Sequence, residues 1–339
     1  MDHIAMAGGN PHMRAVVVRS FGGPEVLEAR RVPRPAPPPG STLIQVRRAG
    51  VNYFDLERRA SGWDGPGATL PVILGTEVVG ARLSDGLRVV GLTDAGIGGY
   101  AEYAVVADDF AVPIPDGVRD TAALAVLVQG LTAWHVLVTA ARLERGESVA
   151  VTAAAGGVGS LAIQIAKWRG AGPVIAVAST KEKRRVSLAL GADAAVDSAP
   201  DGLARRLRSA NGGTAVDVVL ESVGGPLVDA SLDALAPGGR LVAYGQASGA
   251  SNTVSLDTLM DRSIGVIGFW LTPAIADRVA ARRVIEELLN AVAADRLQVV
   301  EGPSFPIARA RDAHAMVGAR NTVGKVTLAV DDAAWEGCA

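Results

Sequence analysis

Apolar residues follow two rhythms along this chain. Through about residue 113 they fall in short runs broken by Gly and Pro: 14–19, an extended run within FGGPEVLEARRVPRP, 42–48, 72–83, 88–92 and 100–106, with the Pro-rich APPPG closing a loop before 42. Such runs predict short strands and a small, irregular, mostly β domain. From Asp120 the spacing becomes helical. Short apolar runs then alternate with helical stretches at 148–154, 174–179, 194–198, 217–222, 240–245 and 263–269, with Pro237, Gly238 and Gly239 forming the turn before the fifth. Six strands with intervening helices predict an α/β fold, a doubly wound parallel sheet over 130–270. A helix over 275–294 and a final strand over 324–330 are expected to fold back onto the first domain. The expected organisation is a disordered leader at 1–12, a mostly β domain from 13–129 and 271–339, and a Rossmann domain at 130–270.

One stretch carries most of the chemistry. Ser148 to Gly191 reads as strand, glycine turn, helix, strand, basic turn, helix. Gly156 and Gly159 take the second and third places of the G-x-G-x-x-G dinucleotide fingerprint, and Ala154 replaces the first glycine. The missing side chains let backbone N–H groups approach a pyrophosphate and let helix close on strand. Leu161, Ile165 and Trp168 recur at i, i+4, i+7, so a helix starts at the glycines with its positive end toward the phosphates. The bland alternative is a structural turn, and the strand–turn–helix–strand order argues against it. Ala155, Gly156, Gly157 and Val158 are the candidate phosphate residues.

The tip of the second strand selects the coenzyme. A free ribose 2′-hydroxyl is usually held there by a carboxylate, which would repel a 2′-phosphate. Here Ser179 and Thr180 are followed by Lys181, Lys183, Arg184 and Arg185, and two of the chain's four lysines lie in this turn. Hydroxyls and cations in place of the carboxylate predict NADP(H), with Ser179, Thr180 and Lys183 as the candidate ligands. For Lys183, Arg184 and Arg185 a solvated basic helix face is the competing reading.

Composition narrows the classes. The chain has 339 residues, a net charge of −2, 49% hydrophobic and 20% charged residues, which suits two globular domains and gives no basic field for nucleic acid or anionic lipid. A single cysteine, Cys338, excludes an internal disulfide and a cysteine-cluster zinc site, and makes a cytoplasmic, reducing location the expectation. The uncharged stretches 121–141 and 148–166 do not read as membrane spans, because Gln129, Gly130, Thr132 and His135 interrupt the first and the phosphate glycines the second. Residues 1–12 lack a secretory pattern, and there is no internal repeat or low-complexity segment.

Several motifs in one order resemble the medium-chain dehydrogenase/reductase superfamily, and within it the zinc-free quinone oxidoreductase-like branch. They are AGVNYFD (49–55), LPVILGTEVVG (70–80), GGYAEY (98–103), QGLTAWHVL (129–137), AAAGGVG (153–159), ASTKEK (178–183), LGAD (190–193), DVVLESVGG (217–225), LAPGGRLVAYG (235–245) and GKVTL (324–328). The resemblance covers Met13 to Val330. It implies a GroES-like catalytic domain built from both ends of the chain, a Rossmann domain between, and a cleft where they meet. Zinc-dependent members have Cys at the position of Asn52 and His at that of Thr76, so no metal site is expected. The chemistry left without a Lewis acid is hydride transfer to a quinone or another α,β-unsaturated carbonyl.

By the same resemblance Asn52 lies near the nicotinamide and can donate to ribose or substrate oxygen, and Tyr53 can supply a hydrogen bond or a proton, packing of the cleft wall being its commoner role. Asp55 and Glu77 look like scaffold. Thr132, Ser222, Val223, Gly245, Phe269, Trp270 and Arg320 join the coenzyme set, with a helix-interior hydroxyl as the alternative for Thr132. His135 reads as a core or cleft-wall residue. Relatives with a tyrosine after the third strand differ here, where Ser198 stands, so Ser179 and Lys183 carry more of the phosphate contact. GFWL (268–271) also resembles enoyl-thioester reductases, which leaves open an acyl-CoA or acyl-carrier substrate. A non-catalytic NADP(H)-binding sensor or structural protein is the alternative from another class. Strand 263–269, apolar and last in the sheet, predicts a homodimer.

Overall fold

A computed structural model describes residues 11–61, 69–331 and 333–335. Its strands are β1 (His12–Val18), β2 (Leu27–Pro33), β3 (Ser41–Val51), β4 (Val72–Ile73), β5 (Glu77–Arg82), β6 (Arg88–Leu92), β7 (Tyr103–Ala107), β8 (Val112–Pro113), β9 (Val149–Val151), β10 (Val174–Val177), β11 (Ala194–Val196), β12 (Val216–Glu221), β13 (Leu235–Ala243), β14 (Gly265–Gly268), β15 (Glu301–Pro306) and β16 (Lys325–Ala329). The helices are α1 (Tyr53–Ser61), α2 (Asp120–Ala125), α3 (Leu131–His135), α4 (Gly157–Trp168), α5 (Lys181–Ala189), α6 (Leu203–Ala210), α7 (Pro226–Leu232), α8 (Leu256–Arg262), α9 (Leu271–Ala274), α10 (Arg278–Ala293) and α11 (Ala310–Gly318).

Two compact units result. The first comprises Met1–Leu127, Gly302–Thr322 and Val326–Ala339. It holds a three-stranded sheet, β2-β1-β4, and a seven-stranded sheet, β15-β16-β3-β5-β6-β8, with β7 also paired to β3. Val, Ile and Leu side chains from β3, β5, β6 and β16 fill its centre, Ile44, Val78, Val79, Val89, Val90 and Leu328 being fully enclosed. This is the GroES-like β domain.

The second unit comprises Val128–Glu301 and Val323–Lys325. Its six strands are all parallel in the order β11-β10-β9-β12-β13-β14, the doubly wound arrangement in which the order reverses at the first strand. Every residue of β9 and β10 is buried, because helices cover both faces of the sheet and leave no polar side. Each fully enclosed Val or Ile there stabilises the unit by roughly 1.5–3 kcal/mol. Trp134 meets Trp168 edge to face at 5.8 Å, while Arg169 lies over Trp134 and Arg296 over Trp168, fixing α3 against α4.

Three expectations change. The C-terminal stretch does not return as one piece: residues 271–301 stay with the Rossmann unit, because α10 buries Ala281, Ile285, Leu288 and Leu289 against that unit's own helices. The turn expected at 237–239 lies inside the span of β13, as the irregularity between the Val216–Leu235 and Val218–Arg240 pairs. Of the leader 1–12 only Pro11 and His12 are among the described residues, and His12 already pairs with Pro33. Cys338 lies outside them. One helical stretch, Asp120–Ala140, is long and apolar enough to cross a membrane, and 83% of its most apolar window is buried inside the protein, as in a core helix.

Candidate functional site

In the Rossmann unit the chain leaves β9 after Val151, three residues earlier than its apolar run suggests, and turns at Ala153, whose φ is +46°. Gly156 is the N-cap of α4 and offers no side chain to the helix. The first intrahelical bond is Ser160 N–H to the Gly156 carbonyl at 2.9 Å. The N–H groups of Gly157, Val158 and Gly159 precede it, at the positive end of a twelve-residue helix. A β-carbon at Gly159 would stand 2.5 Å from the Ala153 carbonyl oxygen, so that position must be glycine for the helix to close on the turn. At Gly157 it would stand 2.2 Å from the amide of Gln129. The Gln129 Oε1 is buried there with no hydrogen-bond partner. Uncapped N–H donors beside an unsatisfied buried acceptor fit a group that brings phosphate oxygens and hydroxyl or amide protons. Val323–Lys325 lies along this turn, Gly324 N–H donating to the Ala155 carbonyl at 3.2 Å.

At the tip of β10, Thr180 caps α5 by accepting the Lys183 N–H at 3.2 Å. Its hydroxyl keeps its own proton for another acceptor. Arg185 is an exposed partner of Glu182. Arg184 is bound at both ends, its Nη1 donating to the Ala178 carbonyl at 2.8 Å and to Asp197 at 2.7 Å. The tip is therefore not free of carboxylate. Pairing of Val177 with Val196 brings Asp197 from the neighbouring strand to a place the local sequence does not show.

Loops after β12 and β13 are stitched together. Ala247 N–H donates to the Ser222 carbonyl at 3.0 Å and Ser248 N–H to that of Val223 at 2.7 Å, with Gly245 against Ser222. Glu221 is buried, which raises its pKa, and accepts the N–H groups of Val223 and Gly224. The Thr132 hydroxyl donates to the Val128 carbonyl at 2.6 Å, so it serves its own helix. Phe269 stacks on His135 with centroids 6.4 Å apart; the His135 Nδ1 meets Thr139 Oγ1 at 2.9 Å, and its Nε2 is buried without a partner. Trp270 is 41% exposed.

In the β unit Asn52 is buried at the start of α1. Its backbone N–H donates to Asp55 at 2.8 Å and its Nδ2 to Glu77 at 2.9 Å. Gly50 makes room for that carboxylate, since a β-carbon there would lie 2.1 Å from Glu77 Oε1. Asp55 also accepts from Thr76 at 3.2 Å and from the phenol of Tyr100. Behind Tyr100, His314 Nε2 lies 3.0 Å from the phenol and its Nδ1 3.2 Å from Arg59 Nη1. A guanidinium can only donate, so Nδ1 accepts, Nε2 carries the proton and donates to Tyr100, and Tyr100 donates to Asp55. Burial, reinforced by Arg59, lowers the His314 pKa to about 3, and burial raises that of Tyr100. Tyr53 is half-buried at the first position of α1, and Arg320 is exposed after α11 with φ +56°.

The alcohol dehydrogenase GroES-like domain family matches residues 38–116, and the zinc-binding dehydrogenase family residues 157–291. The chain is 33% identical over 319 residues to the quinone oxidoreductase of Pseudomonas aeruginosa, covering 91% of this chain and 97% of that one. It belongs to the quinone oxidoreductase family of the medium-chain dehydrogenase/reductase superfamily. A 2-haloacrylate reductase from a Burkholderia species is 29% identical over 337 residues, 93% of this chain and 98% of that one. The structure of the Thermus thermophilus quinone oxidoreductase, studied also as its complex with NADPH, superposes with a TM-score of 0.83 at 34% identity, covering 94% of this chain and all of that one.

This quinone oxidoreductase family member is an oxidoreductase. Although one matching family is described as zinc-binding, no group of three or more His, Cys, Asp or Glu side chains suited to a metal ion occurs among its described residues. The glycine turn, the basic tip and Asn52 are legible in the sequence, whereas Gln129 beside the turn, Asp197 beside the tip and the chain from Tyr100 through His314 to Arg59 are brought together only by the fold. The expectation that Asp55 and Glu77 serve as scaffold is the one sequence signal pointing toward that network, and both are fully buried.

Proposed function

We propose that this chain is an NADPH-dependent, zinc-independent reductase that delivers hydride to a quinone or another α,β-unsaturated carbonyl. The observation that carries the reading is the glycine turn, whose three uncapped N–H groups lie in the same unit as a tip of hydroxyls and lysines. Bound NADPH supplies the hydride. The backbone from Ala155 to Val158 holds the pyrophosphate, and Ser179, Thr180 and Lys183 hold the 2′-phosphate. Ser222, Val223, Gly245, Phe269, Trp270 and Arg320 complete the coenzyme set, with Thr132, whose hydroxyl proton is given to the Val128 carbonyl, able to join it only as an acceptor. Asn52, anchored through its amide to Glu77, orients ribose or steadies a developing enolate oxygen. Tyr53 supplies a hydrogen bond or a proton to that oxygen. Asn and Thr at 52 and 76 offer neither thiolate nor imidazole, which supports zinc independence. The likeness to quinone oxidoreductases and to a 2-haloacrylate reductase supports a conjugated acceptor.

The test is NADPH oxidation, followed by loss of its absorbance, with benzoquinone, naphthoquinone and a crotonyl thioester, each with and without a chelator. Turnover with a quinone, unaffected by chelation, is expected. Coenzyme binding without oxidation by any acceptor would reject the enzyme reading, and loss on chelation would reject zinc independence. The chain is also proposed to form a homodimer through β14. This strand ends the sheet, and Leu256 and Met260 on the nearby α8 are 73% and 67% exposed. A monomer mass in sedimentation at micromolar protein would count against it.

A further inference from the structure

Coenzyme preference in this unit rests on more than the residues that would touch the 2′-phosphate. Asp197, one residue past the end of β11, is 45% exposed in its side chain and stands next to Ala178, the residue before Ser179. In the fold that binds NAD(H), a carboxylate at the end of the second strand holds the ribose 2′-hydroxyl and repels a 2′-phosphate. Asp197 puts the same charge at that end from the adjacent strand. Its carboxyl is held below the usual range by the Ala199 N–H and by Arg184, so it is ionised at neutral pH. The guanidinium of Arg184, only 20% exposed, bridges the Ala178 carbonyl and the Asp197 carboxylate. Arg206 fastens the same loop from below, donating to the Asp197 and Asp201 carbonyls at 3.0 and 2.7 Å. These guanidinium contacts fix the carboxylate beside the tip.

We propose that Arg184 sets the preference for NADPH over NADH as a positioning residue: it neutralises Asp197 and holds it in an ion pair, leaving the 2′-phosphate to Ser179, Thr180 and Lys183. The inference rests on the coenzyme reading above. Without the guanidinium, Asp197 loses its ion-pair partner and becomes a like charge beside the phosphate, a repulsion sufficient for about a 10-fold loss of NADPH affinity at a partly exposed site. NADH has no group for it to repel.

The experiment measures dissociation constants of NADPH and NADH by quenching of tryptophan fluorescence, with no acceptor present, for the unaltered protein, R184M, R184K, D197N and the R184M/D197N double variant. The ratio in the unaltered protein tests the coenzyme reading, and the change in that ratio tests this inference. R184M is expected to weaken NADPH about 10-fold and NADH less than about 2-fold, R184K to keep most of the preference, D197N to bind NADPH at least as well as the unaltered protein, and the double variant to recover NADPH to within about 3-fold. An unchanged ratio in R184M overturns the proposal. A loss in R184M that D197N does not relieve also overturns it, since Arg184 would then act directly on the phosphate. So does equal weakening of both coenzymes, which would mark a fault in the loop. Should R184M not fold, R184Q replaces it, and a loss of NADPH affinity in D197N alone still overturns the idea.

Discussion

The two units build their candidate sites from opposite materials. In the Rossmann unit the chemistry belongs to the backbone: three N–H groups at the head of α4, made accessible by glycines that leave room for them. In the β unit it belongs to side chains, and Asn52 is held by a buried relay through Asp55, Tyr100, His314 and Arg59 whose members come from α1, a loop and α11. A backbone site is set by local conformation and tolerates changes around it. A side-chain site depends on every link, because a buried donor or acceptor left without its partner costs about 1–3 kcal/mol.

The strongest way to break this contrast is at Gly159. Valine there would collide with the Ala153 carbonyl and the Ala154 Cα, and we expect NADPH affinity to fall by about 100-fold or more, or the unit not to fold, as read by fluorescence titration and thermal melting. Alanine at Gly156, where φ is −75° and only one carbonyl comes within 3.1 Å, should fold normally and lose only coenzyme affinity. A G159V protein that binds NADPH normally would show that the turn is not a backbone site.

Next in size is the relay. His314→Phe strands Arg59 and Tyr100 together, and a destabilisation of about 2–4 kcal/mol in chemical denaturation is expected, with about half that for Tyr100→Phe, which removes one hydroxyl. The relay also carries a pH signature. His314 has its folded pKa depressed to about 3, so below about 6.5 the unfolded chain takes up a proton that the folded chain refuses. This contribution to stability is full above 6.5 and lost as pH falls toward 3, by about 1.4 kcal/mol per pH unit. The acid slope should shrink in His314→Phe, and an unchanged slope would refute the assignment.

Asn52→Ala probes the side-chain site of the β unit. It is expected to lower kcat by about 10- to 100-fold while the NADPH dissociation constant moves less than about 3-fold, since most of the proposed coenzyme contacts belong to the Rossmann unit. A tenfold loss of coenzyme affinity would contradict that division. The smallest effect is at Arg185, an exposed partner of Glu182, where alanine should leave both melting temperature and NADPH affinity unchanged.

These differences explain what could be read from the chain. The glycine spacing, the i, i+4, i+7 apolar positions of α4 and the hydroxyl–lysine tip lie within about 30 consecutive residues, and their meaning is local, so sequence alone determined a six-stranded Rossmann unit and its glycine turn. Tertiary structure alone decided the rest. Asp197 reaches the tip of β10 through strand pairing, Gln129 reaches Gly157 from a helix 28 positions earlier, and His314 reaches Tyr100 across 214 positions. It also decided that α10 stays with the Rossmann unit, because a helix joins whichever core its apolar face can cover. Local pattern encodes conformation, whereas the partner of a buried charge or hydrogen-bonding group is chosen by packing between segments that the sequence keeps apart.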